Sequence, residues 1–126
     1  MSLADDEKLF WDILSDNKFE YIPITGKNLA DAVKWAQQKH RVPKQLAIFM
    51  MHLAETYAER SSYRGYTFKE DMIQEGVHAM LGGFKSFDCN RSDNVFAYLT
   101  ILCKSGFMRF ISQERKQSDL KSLDIV

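Results

Sequence analysis

Apolar residues recur at three- and four-residue spacing along most of the chain, which is the period of an amphipathic helix. Leu9, Phe10, Ile13 and Leu14 share one face of a short helix over residues 5–15, opened by Asp5, Asp6 and Glu7, where acids favour a helix N-terminus. The stretch 16–27 contains Tyr21-Ile22-Pro23-Ile24 and Gly26, has no helical period, and reads as a loop or extended arm. Asn28 is the expected N-cap of a helix to about Lys39, with Leu29, Ala32, Val33 and Ala36 on its apolar stripe. Pro43 suits the first position of the next helix, where Leu46, Phe49, Met50, Leu53, Ala54 and Tyr57 turn inward before an end near Arg60. After a loop containing Gly65, a helix from Phe68 to Phe84 aligns Met72, Ile73, Gly76, Val77, Met80, Leu81 and Phe84, closed by Gly82-Gly83 and a turn at Phe87-Asp88. A last long helix from about Ser92 to Lys116 buries Val95, Phe96, Leu99, Leu102, Cys103, Phe107, Phe110 and Ile111. The pattern predicts an all-α, compact helical bundle.

Composition agrees and adds limits. The chain has 126 residues with 45% apolar residues, enough for one modest core without staples, and only 2 Pro and 6 Gly, too few for a turn-rich sandwich. Two cysteines, Cys89 and Cys103, make no disulfide framework, and no Cys/His set has zinc-ligand spacing, so a reducing compartment and no metal are expected. No stretch approaches the consecutive apolar run of a membrane span, and the start has no signal-peptide pattern, so a soluble intracellular protein with no membrane partner is expected. Equal numbers of bases and acids, 17 of each, hide an uneven distribution. Residues 1–20 carry six acids and two bases, whereas residues 60–117 carry nine bases and six acids. That surplus is too mild to establish nucleic-acid binding on its own.

Two polar faces stand out. Asp71, Gln74, Glu75 and His78 lie at i, i+3, i+4 and i+7 on the helix from Phe68, opposite its apolar stripe, and could bind something basic. Periodicity alone favours an ordinary solvated face, and nothing there perturbs a carboxylate for acid–base catalysis. On the last helix, Tyr98, Lys104, Ser105 and Arg109 interleave with buried positions; bases suit phosphates, and an exposed Tyr stacks on an unpaired base. A solvated face with Tyr98 half buried is the plain alternative. His40, His52 and His78 are not spaced as ligands, and Met50, Met51, Met72 and Met80 read as core filler. No phosphate loop, nucleophile elbow or zinc motif is present, so neither an enzyme nor a cofactor is expected.

The strings DMIQEGVHAMLGGFKSFD and VFAYLTILCKSGFMRFISQERK, with Leu53-Ala-Glu-Thr-Tyr57 upstream, resemble region 2 of the sigma-70 family over about Pro43 to Lys116. Within that family the resemblance is to the small late-transcription sigma factors of T-even-type bacteriophages, through LAIFMMHLAE, RGYTFKEDMIQEGVHAMLGGFKSFD, AYLT and RFISQERK. It divides the chain into residues 1–42, a region 2-like domain over 43–117, and a tail over 118–126.

The resemblance implies a sigma factor for phage late genes, acting in the cytoplasm of an infected bacterium. Asp71, Gln74 and Glu75 would dock on the clamp helices of the largest subunit of core RNA polymerase, with His78 extending the same face and Leu81 matching an apolar position of it. Carboxylates and an amide suit the arginines that surface presents in the family. Tyr98 would hold the opened strand of an A/T-rich −10-like element, with Lys104 and Arg109 on phosphates. Ile101 and Leu102 stand where primary sigmas carry a tryptophan pair, leaving apolar side chains as the wedge. Ser105 and Met108 stand at the positions that read the upstream edge. Leu120, Leu123 and Ile125 form a small apolar cluster that faintly resembles a flap-binding tail, a frayed end being the alternative. The further partners implied are a separate coactivator and a sliding clamp, with promoter DNA bound only within the holoenzyme and the free protein monomeric. The rival reading is a phage protein that docks on host polymerase as an inhibitor or anti-sigma-like factor without reading a promoter; another is a stand-alone helical repressor.

Overall fold

A computed structural model describes residues 17–60, 63, 65–88 and 94–125, and side chains as far as residue 120. The helix expected over residues 5–15 lies outside the described residues. Those described form α1 (Lys18–Tyr21), α2 (Leu29–Lys39), α3 (Lys44–Ala58), α4 (Lys69–Gly83) and α5 (Val95–Ile125), with a 3-10 turn over Phe84–Ser86 and no strand among them. The all-α expectation is met. The chain divides into two units, Met1–Phe49 and Met50–Val126, with the boundary inside α3.

In the first unit, the segment expected to be loop contains the single turn of α1, because Phe19 is 3% exposed and anchors it, its ring edge-on to Trp35 at 6.3 Å. Leu29, Ala32, Val33 and Ala36 are buried, as the stripe on α2 requires. Asn28 stands at the N-cap position but makes no cap with its side chain. Its Oδ1 instead accepts from the Thr25 amide at 2.7 Å and its Nδ2 donates to the Pro23 carbonyl at 3.2 Å, so it braces the preceding turn. Pro43 falls one residue before α3, where its carbonyl accepts from the Ala47 amide at 3.1 Å.

The second unit is built on α4 lying along α5. Glycines set their separation. A Cβ on Gly106 would lie 2.6 Å from the Glu75 carbonyl oxygen, and one on Gly76 would lie 2.4 Å from the Phe107 ring. Phe107, fully buried, fills the notch at Gly76 and meets Tyr57 at 5.7 Å and Tyr63 at 5.4 Å, with the Arg60 guanidinium over the far Tyr57 ring at 4.6 Å. Met72, Met80, Phe84, Leu99 and Cys103 complete this core. Burial pushes the Cys103 thiol up to about 12.

Several expectations change. Met51 is 49% exposed rather than core filler, because it falls on the outer side of α3 from Met50. Phe96 is 53% exposed, since Val95 takes the inward position at the start of α5. That start is capped by Asn94, whose Oδ1 accepts from the Ala97 amide at 3.2 Å. The far end of α5 extends past Lys116 to Ile125, so the residues expected to form a separate tail continue the helix. Val95–Leu120 is long and apolar enough to cross a membrane by length and composition, but Leu99, Cys103 and Phe107 are buried within its own unit while Lys104 and Arg109 are exposed.

Candidate functional site

On α4, Met72, Gly76 and Met80 are buried, which turns Asp71, Gln74 and His78 outward, where they are exposed. Glu75 and Leu81 sit at the margin, half-buried. Glu75 is held there because its own carbonyl meets Gly106. The five residues expected on the docking face thus share the outer side of one helix, with acids and amide toward its N-terminal half.

The residues expected to face DNA fall into two sets on α5. Ile101, 62% exposed, and Met108, 49% exposed, line one outward strip with the exposed Lys104 and Ser105. Tyr98, Leu102 and Arg109 belong instead to the edge that borders α4. The Tyr98 hydroxyl donates to the Gly83 carbonyl at 3.0 Å, and its ring lies 5.1 Å from that of Phe87. Leu102 presses on Gly83, where a Cβ would come within 2.6 Å of its Cδ2. Arg109 lines a shallow pocket of about 350 Å³ with Glu75, His78, Ala79 and Gly82. Arg109 therefore adjoins the α4 face, and Tyr98 locks the end of α4 in place.

This division has a simple cause. On the helical wheel residues 98, 102 and 109 lie on one flank of the buried positions 99, 103, 106 and 107, the flank toward α4, whereas 101, 105 and 108 lie further round toward solvent and 104 lies on the opposite flank.

A second pocket beside α4 is lined by Phe68, Asp71, Phe110, Gln113, Glu114, Gln117 and Ser118. Glu114 accepts from the Tyr66 hydroxyl at 3.4 Å, and burial together with that carboxylate raises the Tyr66 pKa. Leu120 is 61% exposed near the end of α5, and the backbone through Leu123 and Ile125 is helical.

The first unit holds a feature that the sequence reading passed over. Trp35, Lys39, Arg41 and Asn17 line a pocket of about 300 Å³. The spacing of Trp35 and Lys39, one helical turn apart, was the available signal. Among the described residues no group of His, Cys, Asp and Glu is arranged to hold a metal ion. No protein-family model matches the chain, and no curated protein matches it.

Proposed function

We propose that this protein is a sigma factor of the phage late-transcription type, docking on core RNA polymerase through α4 and engaging promoter DNA through the outward strip of α5. The observation that carries this reading is the pairing of two differently coloured faces on two helices joined through Gly76 and Gly106. Asp71, Gln74 and His78 present a carboxylate, an amide and an imidazole on one helix, and Ile101, Lys104, Ser105 and Met108 present two apolar groups, a base and a hydroxyl on the other. Their sequence resemblance to sigma-70 region 2 supplies the partners.

The division of α5 redistributes the work within this reading. Lys104 would neutralise phosphate, and Ile101 with Met108 would insert beside an unstacked base step. Tyr98, with its hydroxyl on Gly83 and its ring against Phe87, acts as a positioning residue that fixes the α4–α5 corner. Arg109, beside Glu75 and His78, belongs with the docking face.

The test is transcription by purified bacterial core polymerase, with and without the protein, on supercoiled templates carrying A/T-rich late promoters, with coactivator and clamp supplied. Specific initiation is expected. Glu75→Arg should weaken polymerase binding at least about tenfold, the scale of an unpaired interfacial charge. Lys104→Ala should reduce initiation while leaving polymerase binding intact. Binding without initiation on any template would favour an inhibitor, and no binding would refute the assignment.

A further inference from the structure

The first unit is neutral as a whole, with seven bases and seven acids over residues 1–49, but its charge is divided along the chain, and its described part is basic. Residues 17–49 hold six bases, Lys18, Lys27, Lys34, Lys39, Arg41 and Lys44, against two acids, Glu20 and Asp31. One of the two acids is already engaged. Glu20 accepts from the Lys44 amide through Oε2 at 3.1 Å, and its Oε1 lies 3.5 Å from the Arg41 guanidinium.

Arg41 is held in an unusual way for an exposed side chain. Its guanidinium carbon lies 5.2 Å over the Trp35 ring. Its Nη2 alone meets both Glu20 and, at 3.4 Å, the Asn17 side-chain oxygen. Among the described residues Nη1 and Nε make no hydrogen bond or ion pair, so two of the three nitrogens of a pre-oriented planar fork have no polar partner there. The backbone contributes to this arrangement. His40 takes up the left-handed conformation, φ 54°, and its amide and that of Arg41 both donate to the Ala36 carbonyl. A left-handed residue other than glycine or asparagine is uncommon, and here it turns the chain so that Arg41 returns alongside Trp35 and Lys39. Lys39 is exposed, has no ion pair among the described residues, and lines the same pocket. Asp31, one turn before Trp35, is the acid on that side of α2.

We propose that the pocket formed by Trp35, Lys39, Arg41 and Asn17 binds phosphates of the duplex DNA backbone, a second nucleic-acid contact apart from the outward strip of α5. A planar guanidinium braced on an indole and an exposed ammonium make a suitable pair for phosphodiester oxygens, since the fork gives direction and the lysine gives charge. The contact has no means of reading bases. It supplies register and affinity, and its binding in the absence of polymerase is weak and steeply salt-dependent.

The experiment is anisotropy of a short labelled DNA duplex of arbitrary sequence, titrated with the full chain over a range of salt concentrations. Lys39→Gln, a change at an exposed side chain with no ion pair among the described residues, should lower the slope of log K against log salt by about 1, as removal of one phosphate contact does. Lys39→Gln with Arg41→Gln should lower it by about 2, and Arg41→Lys should restore part of the affinity. Intrinsic fluorescence should change on DNA addition, and Trp35→Phe should abolish that change. Circular dichroism of each variant separates loss of the contact from loss of the fold. An unaltered slope in a folded Lys39→Gln protein would overturn the proposal. So would equal competition by polyglutamate of the same charge, which would make the pocket a general polyanion site. The outcome is distinguishable from failure of the sigma reading, because it requires no polymerase and is read against Lys104→Gln on α5.

Discussion

Gly106→Ala places a methyl group where α4 and α5 come closest. The added Cβ would stand 2.6 Å from the Glu75 carbonyl oxygen, 3.0 Å from the Glu75 carbonyl carbon and 3.0 Å from the Ala79 Cβ. None of these atoms is the end of a flexible side chain, so relief must come from the helices parting. Ordinary non-bonded contact lies near about 3.5 Å, which asks nearly an ångström of the pair. Overpacking costs roughly 1–3 kcal/mol, and a clash with backbone nearly an ångström deep belongs in the upper half of that range, roughly 2–3 kcal/mol. Alanine returns about 1 kcal/mol through its better helix propensity. The net loss is about 1–2 kcal/mol, a fall in Tm of roughly 4–8 °C for a domain of this size. Gly82, on α4, is the matched control, because a Cβ there meets nothing within 4 Å and should raise stability by up to about 1 kcal/mol. Thermal unfolding followed by circular dichroism at 222 nm, with urea titration to check the sign, measures both. A Gly106→Ala protein melting at or above the wild type, with Gly82→Ala melting higher, would refute the close approach and with it the geometry that sets the two proposed faces.

Other consequences are equally direct. Asn94→Ala removes the cap of α5 and should cost about 1 kcal/mol, seen as a lower urea midpoint with an unchanged slope. His40→Gly relieves the left-handed strain of about 1–2 kcal/mol against glycine's own entropic cost, so its Tm should rise by a few degrees; a fall would mean that the His40 side chain contributes more than its backbone costs. Cys103 holds its proton in the folded state to about pH 12, whereas the unfolded thiol ionises near its ordinary value of 9.0, so the unfolded state releases protons first and stability falls as pH rises above about 9. Tyr63 and Tyr66, also raised by burial, act in the same direction. Melting at pH 7.5 and at pH 10 should show the loss, and Cys103→Ala should lessen it. In a Cys89→Ser background, Cys103 should react with maleimide only when the protein unfolds. Tyr98→Phe deletes the hydroxyl bond to Gly83 and should cost about 1 kcal/mol, read as a lower Tm.

The helices and their inward faces follow from the order of residues alone, because burial demands that apolar side chains recur with the helical period, and Leu29, Ala32, Val33, Ala36, Met72, Met80, Leu99 and Phe107 do so. The same rule explains why Asp71, Gln74 and His78 were legible as an outward face. Where the period was misleading, a neighbour decided. Phe19 found a buried place and drew one helical turn out of an apparent loop, and Phe96 was turned out when Val95 took the inward site. Asn28 spent its amide on Pro23 and Thr25 instead of capping α2, a choice between two hydrogen-bond partners that spacing does not reveal.

What the sequence by itself determined is the fold class, the approximate extent of most of the helices, and which side of α4 meets water, all consequences of a local period. What only the tertiary structure decided is the placing of residues by contacts between elements distant in sequence: Tyr98 on Gly83, Arg109 beside Glu75, Gly106 against the α4 backbone, and Arg41 folded over Trp35. A helical wheel fixes the angle of a side chain about its own axis, whereas the partner it reaches depends on how close another helix or a returning turn comes, and here glycines and a left-handed histidine set those distances.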